Sequence, residues 1–192
     1  MGKIEFIIPT YNRPDNLMVV LMSIKVQTSN DWKVHVVADA IYDGYQEVKD
    51  YFKNDDRFRF SELNGPHKDW GHTARNYGLE MAEEEWVVMS GDDNYYMPVF
   101  VKDFLEAGKN HGVHFVYCNL IHNWVYDLYI ALISGPKIGQ IDIGNFMAKT
   151  KFAKQLKLDM TRADADGVFV EEYLRKFKGN IIKLDKFLYV HN

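Results

Sequence analysis

The stretch WVVMSGDDN, residues 86–94, decides how this chain is interpreted. Four apolar residues with a β-branched pair at their centre predict a short buried strand, and two adjacent carboxylates, Asp92 and Asp93, follow it. In an open parallel sheet, ligands bind beyond the carboxyl ends of the strands. Two acids there, with Asn94 beside them, predict a hard-oxygen site suited to Mg²⁺ or Mn²⁺ carrying a diphosphate. The alternative is a solvated turn, since Asp and Asn are common turn residues.

Length and composition indicate one globular domain. The chain has 192 residues, of which 47% are hydrophobic, so it can bury a sizeable core and is not disordered as a whole. Its net charge of -4 gives no electrostatic case for binding nucleic acid or an anionic membrane. Cys118 is its single cysteine, which excludes an internal disulfide and suits a reducing compartment.

The sequence pattern predicts neither a membrane anchor nor a secretory leader. No apolar run approaches the length of a membrane span, and the chain opens on a strand-like segment. These features predict a soluble, cytoplasmic protein with no transmembrane segment.

Strands and helices alternate through the first half of the chain. Apolar periodicity, interrupted by proline and turn residues, predicts four strands and three helices there. The predicted strands are residues 4–8, 33–39, 57–62 and 86–90, and the predicted helices are residues 15–27, 45–52 and 71–82. Because β-α-β units place consecutive strands parallel, this order predicts an α/β fold with a mainly parallel, twisted sheet flanked by helices.

The second half of the chain is less regular. Helices are predicted over residues 98–109, 150–156 and 168–177, and strands over residues 113–118, 141–148 and 181–191. Residues 124–133 are rich in aromatic and aliphatic side chains, and a Ser-Gly-Pro break follows them. We predict one domain over residues 1–192, with a nucleotide-binding half over residues 1–97 and an acceptor-binding half over residues 98–192.

Four segments of the chain resemble the family 2-like glycosyltransferases of the GT-A fold. They are IEFIIPTYNRPDNL (residues 4–17), VVADA (36–40), GHTARNYGLEMA (71–82) and VVMSGDDN (87–94), in the order seen in that family. Each segment lies at a predicted strand end or helix start, and the resemblance is strong over the first half of the chain and loose over the second. It implies a Rossmann-like GT-A domain with a smaller, irregular acceptor-side half.

The resemblance implies that the first loop and Asp39 hold the nucleoside of a sugar nucleotide, and that Arg75 faces the same site. Backbone groups and an aromatic face at a strand end suit a base, and Asp39 can accept the imide N–H of uracil. Arg75 suits phosphate because its planar guanidinium donates two parallel hydrogen bonds. The residues implied to bind the nucleotide sugar are Pro9, Thr10, Tyr11, Asn12, Arg13, Asp39, Arg75 and Asp92. The alternatives are a surface salt bridge for Arg75 and packing on the sheet edge for Tyr11.

Asp92 and Asp93 correspond to the DxD-type acidic motif of the family, in the shorter form Asp-Asp-Asn. By the resemblance, Asp92 is expected to hydrogen-bond the ribose and Asp93 to bind Mn²⁺ or Mg²⁺. The usual form has a further acid at the position of Gly91 or Asn94, and fewer protein ligands suit an ion that diphosphate oxygens and water complete. The closing stretch LYVH resembles the segment in which a histidine returns to the diphosphate or metal, so its His191 is the second metal candidate.

Inverting transfer needs a general base that takes the proton of the acceptor hydroxyl. In the family this base is the second acid of a Glu-Asp pair that heads a helix. Alignment of the last amphipathic helix places Asp166 on the base and Ala165 where the family has the glutamate. Asp164 is the alternative base, and one of the two aspartates is expected to cap the helix. Asp142 is a third carboxylate that could line the acceptor side.

Four aromatic residues are candidates for an acceptor platform, because sugars stack their apolar faces on aromatic rings. They are Trp124, Tyr126, Tyr129 and Phe146. Core packing is the alternative for each of them. The polar loop over residues 67–72 either covers the diphosphate or is solvated.

Together these features predict a metal-dependent, inverting glycosyltransferase that moves a sugar from a UDP-sugar donor to a hydroxyl of a glycan or glycoconjugate acceptor. A nucleotidyltransferase is the second enzyme class, because related α/β folds use paired acids and a metal. The segment PTYNRPDN, however, is not a Gly-rich, basic phosphate loop. A non-catalytic nucleotide-sugar or glycan-binding module is the third alternative, supported by the missing glutamate before Asp166.

Overall fold

The computed structural model describes residues 2–123 and 128–192. Within these residues the strands are β1 (Ile4–Thr10), β2 (Trp32–Ala38), β3 (Phe58–Glu62), β4 (Trp86–Met89), β5 (Asn94–Tyr96), β6 (Val113–His122), β7 (Ile130–Leu132), β8 (Phe146–Lys149) and β9 (Asn180–His191). The helices are α1 (Pro14–Lys25), α2 (Tyr45–Phe52), α3 (His72–Met81), α4 (Phe100–Gly108), α5 (Thr150–Ala153) and α6 (Ala165–Lys176). All nine strands join one sheet in the order β3-β2-β1-β4-β8-β6-β9-β5, with β7 paired to β6.

The first half of the chain forms the parallel part of this sheet. β1 lies between β2 and β4, and Phe6 is paired with Val34 on one side and with Val88 on the other. β1 is buried along its whole length. A strand covered on both faces is mostly apolar, and the charged exception here is Glu5, whose buried carboxylate accepts a hydrogen bond from Arg59 Nη2 at 2.9 Å. The carboxyl ends of β1, β2 and β4 therefore lie side by side at one edge of the sheet.

Two apolar clusters cover the two faces of the sheet. α1, α2 and α4 pack on one face, where Phe6, Leu21 and Phe100 belong to the larger cluster. α3, α5 and α6 pack on the other face, where Ile7 and Phe169 are buried. Phe6 and Ile7 are consecutive residues of β1 and reach opposite clusters, as the two-residue period of a strand requires. Each such side chain contributes about 1.5–3 kcal/mol through burial, and together they fix the sheet against its helices.

The second half of the chain adds strands of mixed direction to the same sheet. β8 runs antiparallel to both β4 and β6, while β9 runs parallel to β6. β9 also pairs with β5 in antiparallel register, which sets His191 opposite Asn94. This pairing brings the last strand of the chain to the end of the acidic stretch.

The predicted α/β order is confirmed, and the first differences lie in two strands. Pro9 does not stop β1, which continues to Thr10, because proline lacks the N–H donor but not the extended geometry of a strand. The alternative of a turn through Asp92, Asp93 and Asn94 is wrong for Asn94, which begins β5. The partner of β5 is almost a hundred residues away in sequence, so local composition carries no sign of this strand.

Further differences lie in the second half. The predicted strand over residues 141–148 is reduced to β8, because Gly144 N donates to the Asp142 carboxylate at 3.0 Å and closes a turn before it. β6 is longer than predicted, and α5 ends at Ala153 rather than at residue 156. α6 begins three residues earlier than predicted, so Asp166 lies in its first turn rather than before it.

The helices of the described residues are short. The longest, α1 and α6, have 12 residues each. None of them combines the length and the apolar character that crossing a membrane requires.

Candidate active site

A cleft of about 400 Å³ opens at the carboxyl ends of β1, β2 and β4. We call the part of its lining formed by Thr10, Arg13, Asp39, Asp92 and Asp93 the strand-end wall, and the part formed by Asp142, Asp166 and His191 the second-half wall. Pro9, Tyr11 and Arg75 also line the cleft. Asn12, with φ of 55°, lies in the turn before α1 and outside the lining. The cleft thus gathers most of the residues that the sequence singles out.

Hydroxyl groups orient Asp92 on the strand-end wall. Thr10, the last residue of β1, donates from Oγ1 to Asp92 Oδ2 at 2.9 Å, and the same Oγ1 lies 2.7 Å from the Tyr42 hydroxyl. The Asp92 side chain is only 4% exposed. Burial raises the pKa of Asp92, and the Arg13 charge and the Thr10 hydrogen bond oppose that rise. Asp92 is therefore a buried acceptor held in one orientation.

Arg13 lies over the pair of aspartates. Its Nη1 is 2.6 Å from Asp93 Oδ2 and 3.5 Å from Asp92 Oδ1. The Asp93 side chain is 22% exposed and that of Arg13 is 52% exposed. The two carboxylates therefore converge on one cationic position that is open to the cleft.

Asp39 follows β2 directly and lies at the rim of the strand-end wall. Its backbone N–H donates to Thr10 O at 2.9 Å, which ties the ends of β1 and β2 together. Its buried carboxylate accepts a hydrogen bond from the His67 backbone N–H at 2.8 Å and contacts Nδ1 of the same histidine. Tyr11 is exposed nearby and lies edge-on to Tyr42, with ring centroids 6.3 Å apart.

Arg75 is buried beneath the cleft rather than exposed on α3. Its Nε donates to Ser90 O at 2.7 Å, and its Nη1 donates to Trp70 O at 2.6 Å. It therefore ties the end of β4 to the loop before α3, and the alternative of a surface salt bridge is wrong. Contact with phosphate stays a prediction for this residue.

The loop over residues 67–72 is anchored by Asp69 and His72, while its His67, Lys68 and Trp70 are exposed. The buried Asp69 carboxylate accepts from Thr73 N at 2.8 Å and so caps the start of α3. His72 is also buried, and its Nε2 lies 3.0 Å from Arg162 O. These contacts join the loop to the segment before α6, so the two sides of the cleft are connected.

A buried ion pair holds the second-half wall together. His191 Nδ1 lies 2.9 Å from Asp142 Oδ2, and the Tyr189 hydroxyl donates to Asp142 Oδ1 at 2.5 Å. Burial raises the pKa of Asp142, but the His191 and Tyr189 contacts outweigh burial and leave the pKa below its ordinary value. Burial likewise lowers the pKa of His191, and the Asp142 charge more than reverses that effect. Asp142 lines the cleft with its carboxylate engaged by these two partners, and its place on the acceptor side stays a prediction.

Asp166 and Asp164 have different surroundings. Asp166 is partly buried in the first turn of α6 and lines the cleft, and burial together with the Asp142 charge raises the pKa of Asp166 to about 6. Asp164 is 47% exposed, and both its oxygens accept from Arg162 at 2.8 Å. Asp164 is the N-cap residue of α6, as one of the two aspartates was expected to be, but its side chain makes no capping hydrogen bond. The Asp164 carboxylate turns to Arg162, and Asp166 Oδ1 accepts from its neighbour Gly167 N at 2.7 Å.

The structure describes two of the four residues predicted to form an aromatic platform. Phe146 is buried in the core and stacks on Phe115 with ring centroids 5.0 Å apart, so its place in the platform is wrong. The ring belongs to the apolar cluster under α6, where burial is worth more than exposure to a ligand. Tyr129 is exposed and donates from its hydroxyl to Asn192 Oδ1 at 2.5 Å. Trp124 and Tyr126 lie outside the described residues.

The acid pair fits a divalent cation held by few protein ligands. Asp92 and Asp93 both face one position, which the positively charged guanidinium of Arg13 occupies. Beside them, the buried Asn94 Oδ1 has no hydrogen-bond partner. Across residues 2–123 and 128–192, three or more His, Cys, Asp or Glu side chains do not gather around one metal position. A cation at the acid pair would take its remaining ligands from diphosphate oxygens and water.

Two tyrosines of the site have no role that the sequence predicts. Tyr42 supports Thr10, and Tyr189 donates to Asp142. Tyr189 belongs to the LYVH stretch, so that similarity was the one available signal for it. No local pattern marks Tyr42, because its partner lies 32 residues earlier in the chain.

The family model described as Glycosyl transferase family 2 matches residues 5–157. That range is well over half of the chain, and the chain therefore belongs to glycosyl transferase family 2. A Campylobacter jejuni protein, GalNAc(5)-diNAcBac-PP-undecaprenol beta-1,3-glucosyltransferase, is 29% identical over 122 residues, which are 63% of this chain and 39% of that protein.

Solved structures of glycosyltransferases share this fold. Staphylococcus aureus TarS 1-349 superposes with a TM-score of 0.80 at 20% identity, covering 99% of this chain and 60% of that one. TarS has also been solved with UDP and with UDP-GlcNAc. The mannosyltransferase PcManGT from Pyrobaculum calidifontis, in complex with GDP-Man and Mn²⁺, gives a TM-score of 0.76 at 15% identity, covering 98% of this chain and 56% of that one. The predicted GT-A fold is confirmed, and the chain spans about two fifths of the Campylobacter jejuni protein and about three fifths of these structures.

Proposed function

We propose that this protein is an inverting glycosyltransferase that moves a sugar from a UDP-sugar to a hydroxyl of a glycan or glycoconjugate acceptor. The observation that carries the proposal is the convergence of Asp92 and Asp93 with Asp166 in one cleft at the strand ends. Family membership and the UDP-GlcNAc complex of TarS support a nucleotide-sugar donor. The family also favours sugar transfer over nucleotidyl transfer.

The strand-end wall is proposed to hold the nucleoside diphosphate. Asp39 accepts the imide N–H of uracil, and the oriented carboxylate of Asp92 accepts from the ribose hydroxyls. Arg13 is close enough to the acid pair to exchange its contact with Asp93 for a contact with a diphosphate oxygen, because its long side chain is half exposed. Guanidinium groups bind such oxygens in a planar, bidentate geometry.

Asp93 is proposed as the main protein ligand of Mn²⁺ or Mg²⁺, with His191 reaching the metal or the diphosphate from the second-half wall. A bound divalent cation would neutralise charge that develops on the leaving diphosphate. The Mn²⁺ complex of PcManGT supports a metal of this kind. Asp142 holds His191 at the cleft in either role.

Asp166 is proposed as the general base. Its carboxylate takes the proton of the acceptor hydroxyl as that oxygen bonds to C1 of the sugar. The bond between C1 and the diphosphate oxygen breaks, and its electron pair leaves with UDP. A carboxylate whose pKa is raised to about 6 is still ionised at neutral pH and is a stronger base than an ordinary aspartate.

A non-catalytic binding module was the other alternative, because Ala165 replaces the family's glutamate. Ala165 is buried in the apolar cluster under α6. A glutamate there would place a carboxylate in the core, so the alanine matches its packing environment. Its presence therefore does not require loss of turnover.

The proposal is tested in two stages. Thermal unfolding with a panel of UDP-, GDP- and CDP-sugars and Mn²⁺ should show the largest stabilisation with a UDP-sugar, since ligand binding stabilises the folded state by mass action. With that donor and a panel of simple glycosides, ¹H NMR should then show UDP release and a product of inverted anomeric configuration. Retained configuration would contradict the inverting mechanism, and stabilisation without UDP release would favour the binding module.

A further inference from the structure

Asp39 of the strand-end wall is in contact with His67, a residue to which the proposed function assigns no role. His67 engages both oxygens of the Asp39 carboxylate, with its backbone N–H 2.8 Å from Oδ2 and its ring Nδ1 against Oδ1. The His67 side chain is 39% exposed, while that of Asp39 is 8% exposed. An imidazole this exposed contributes little to the stability of the core, so core packing does not account for its contact with Asp39.

We propose that His67 positions the Asp39 carboxylate for recognition of the nucleobase. This inference rests on the proposed function, in which Asp39 accepts the imide N–H of uracil. A carboxylate held by two donors from one residue is restricted in rotation about its side-chain bonds. Each carboxylate oxygen has two acceptor positions, so each keeps one for a ligand after His67 has taken the other.

The protonation of the His67 ring follows from the contact. Nδ1 faces a carboxylate oxygen, which can only accept, so Nδ1 carries the proton and donates it to Asp39. A lone pair on Nδ1 would repel the same oxygen. His67 thus keeps Asp39 an acceptor, which suits uracil with its N3–H and opposes cytosine with its unprotonated N3.

The glycine at residue 65 lets the backbone come close enough to Asp39 for this contact to form. Gly65 N donates to Asp39 O at 2.7 Å, which brings the loop back over the end of β2. A Cβ at residue 65 would lie 2.1 Å from Asp39 O and 2.9 Å from His67 Nδ1. The first atom is backbone and cannot move aside cheaply, so a side chain here would push the loop and His67 away from Asp39. The contact between His67 and Asp39 therefore depends on the glycine at residue 65.

The test uses UMP and CMP as probes, without metal, in calorimetric titrations of the full chain. The parent protein should bind UMP more tightly than CMP by roughly ten-fold, since a buried acceptor facing another acceptor remains unpaired. His67→Leu should bring the two affinities close together, mainly by weakening UMP. His67→Asn should keep most of the preference, because the Asn amide nitrogen can take the place of Nδ1 as donor. Gly65→Ala should behave as His67→Leu does.

His111→Leu is the matched control, since His111 is exposed outside the cleft lining and should leave both affinities unchanged. Thermal unfolding of each variant separates loss of selectivity from loss of fold, and His67→Asn gives a second measurement if His67→Leu unfolds. The inference is overturned if His67→Leu keeps the preference, if it binds UMP more tightly than the parent, or if His67→Asn loses as much as His67→Leu. Equal binding of UMP and CMP by the parent would overturn the uracil assignment as well, whereas the other outcomes leave that assignment standing.

Discussion

The two walls of the cleft carry the same kind of residue in opposite electrostatic settings. On the strand-end wall, Asp93 is paired with Arg13 at 2.6 Å and Asp92 accepts from Thr10. On the second-half wall, Asp166 is partly buried next to the negative charge of Asp142, and its pKa is raised to about 6. Burial raises the pKa of Asp92 as well, but the Arg13 charge and the Thr10 hydrogen bond oppose that rise, which suits binding, whereas the Asp142 charge adds to the rise at Asp166, which suits proton transfer. The partners of these aspartates, rather than their residue type, therefore distinguish their proposed roles.

The largest effect is expected from removing the base on the second-half wall. Asp166→Asn keeps the size of the side chain but cannot accept a proton, so turnover should fall by about 10²–10⁴-fold. Affinity for the UDP-sugar should barely change, because Asp166 is proposed to act on the acceptor. Steady-state rates of UDP release and calorimetric donor binding measure the two quantities. A variant with normal turnover would move the base elsewhere, and Asp142 would be the next residue to change.

A smaller effect is expected from removing the exposed acid of the strand-end wall. Asp93→Ala should cancel the gain in UDP affinity that Mn²⁺ provides, roughly 10–100-fold if the contact is worth what hydrogen bonds to charged groups usually contribute. The fold should persist, since Asp93 lies at a strand-end turn and is partly exposed. UDP titrations with and without Mn²⁺ measure the change, and the exposed Asp43→Ala is the control. Should Asp93→Ala respond to Mn²⁺ as the parent does, the metal assignment is wrong.

The pH dependence of kcat/KM should report on Asp166 of the second-half wall. Asp166 must be ionised to act, and its pKa in the folded protein is raised to about 6. The rate constant kcat/KM should therefore fall as pH drops through about 6, reaching roughly a tenth of its plateau one unit lower. An acid limb near pH 4 would mean that an ordinary carboxylate, rather than Asp166, controls the rate.

The smallest effect is expected at Asp164, the exposed neighbour of the base. Its contact is a surface pair with Arg162, and such pairs often contribute nothing measurable. Asp164→Asn should leave turnover, donor affinity and thermal stability close to those of the parent, which makes it the matched control for Asp166→Asn. Loss of transfer in this variant with normal transfer in Asp166→Asn would exchange their roles.

The architecture of the first half and the candidates for the strand-end wall can be predicted from the sequence. Apolar periods of two and of 3.6 residues are local properties, so they predict β1 to β4 and α1 to α3 with only small errors at the ends. α2, predicted over residues 45–52, has those ends in the structure. Once the strands are parallel, Asp39 and Asp92 must meet at one edge, because each follows the carboxyl end of its strand.

The candidates for the second-half wall are visible in the sequence, but how they assemble, and the partners of Asp39, Asp92, Asp93 and Asp142, follow from tertiary structure. β5 forms because β9 pairs with it, and this pairing sets His191 opposite Asn94. The choice between Asp164 and Asp166 depends on which side of α6 faces the cleft, and the pKa of Asp166 is raised first by its burial and then by the charge of Asp142, 24 residues earlier in the chain. Arg75 and His67 likewise act through contacts made across the fold. Periodicity fixes where a side chain points along its own element, but pairing energies between distant segments fix what it meets, and those depend on packing that no local pattern encodes.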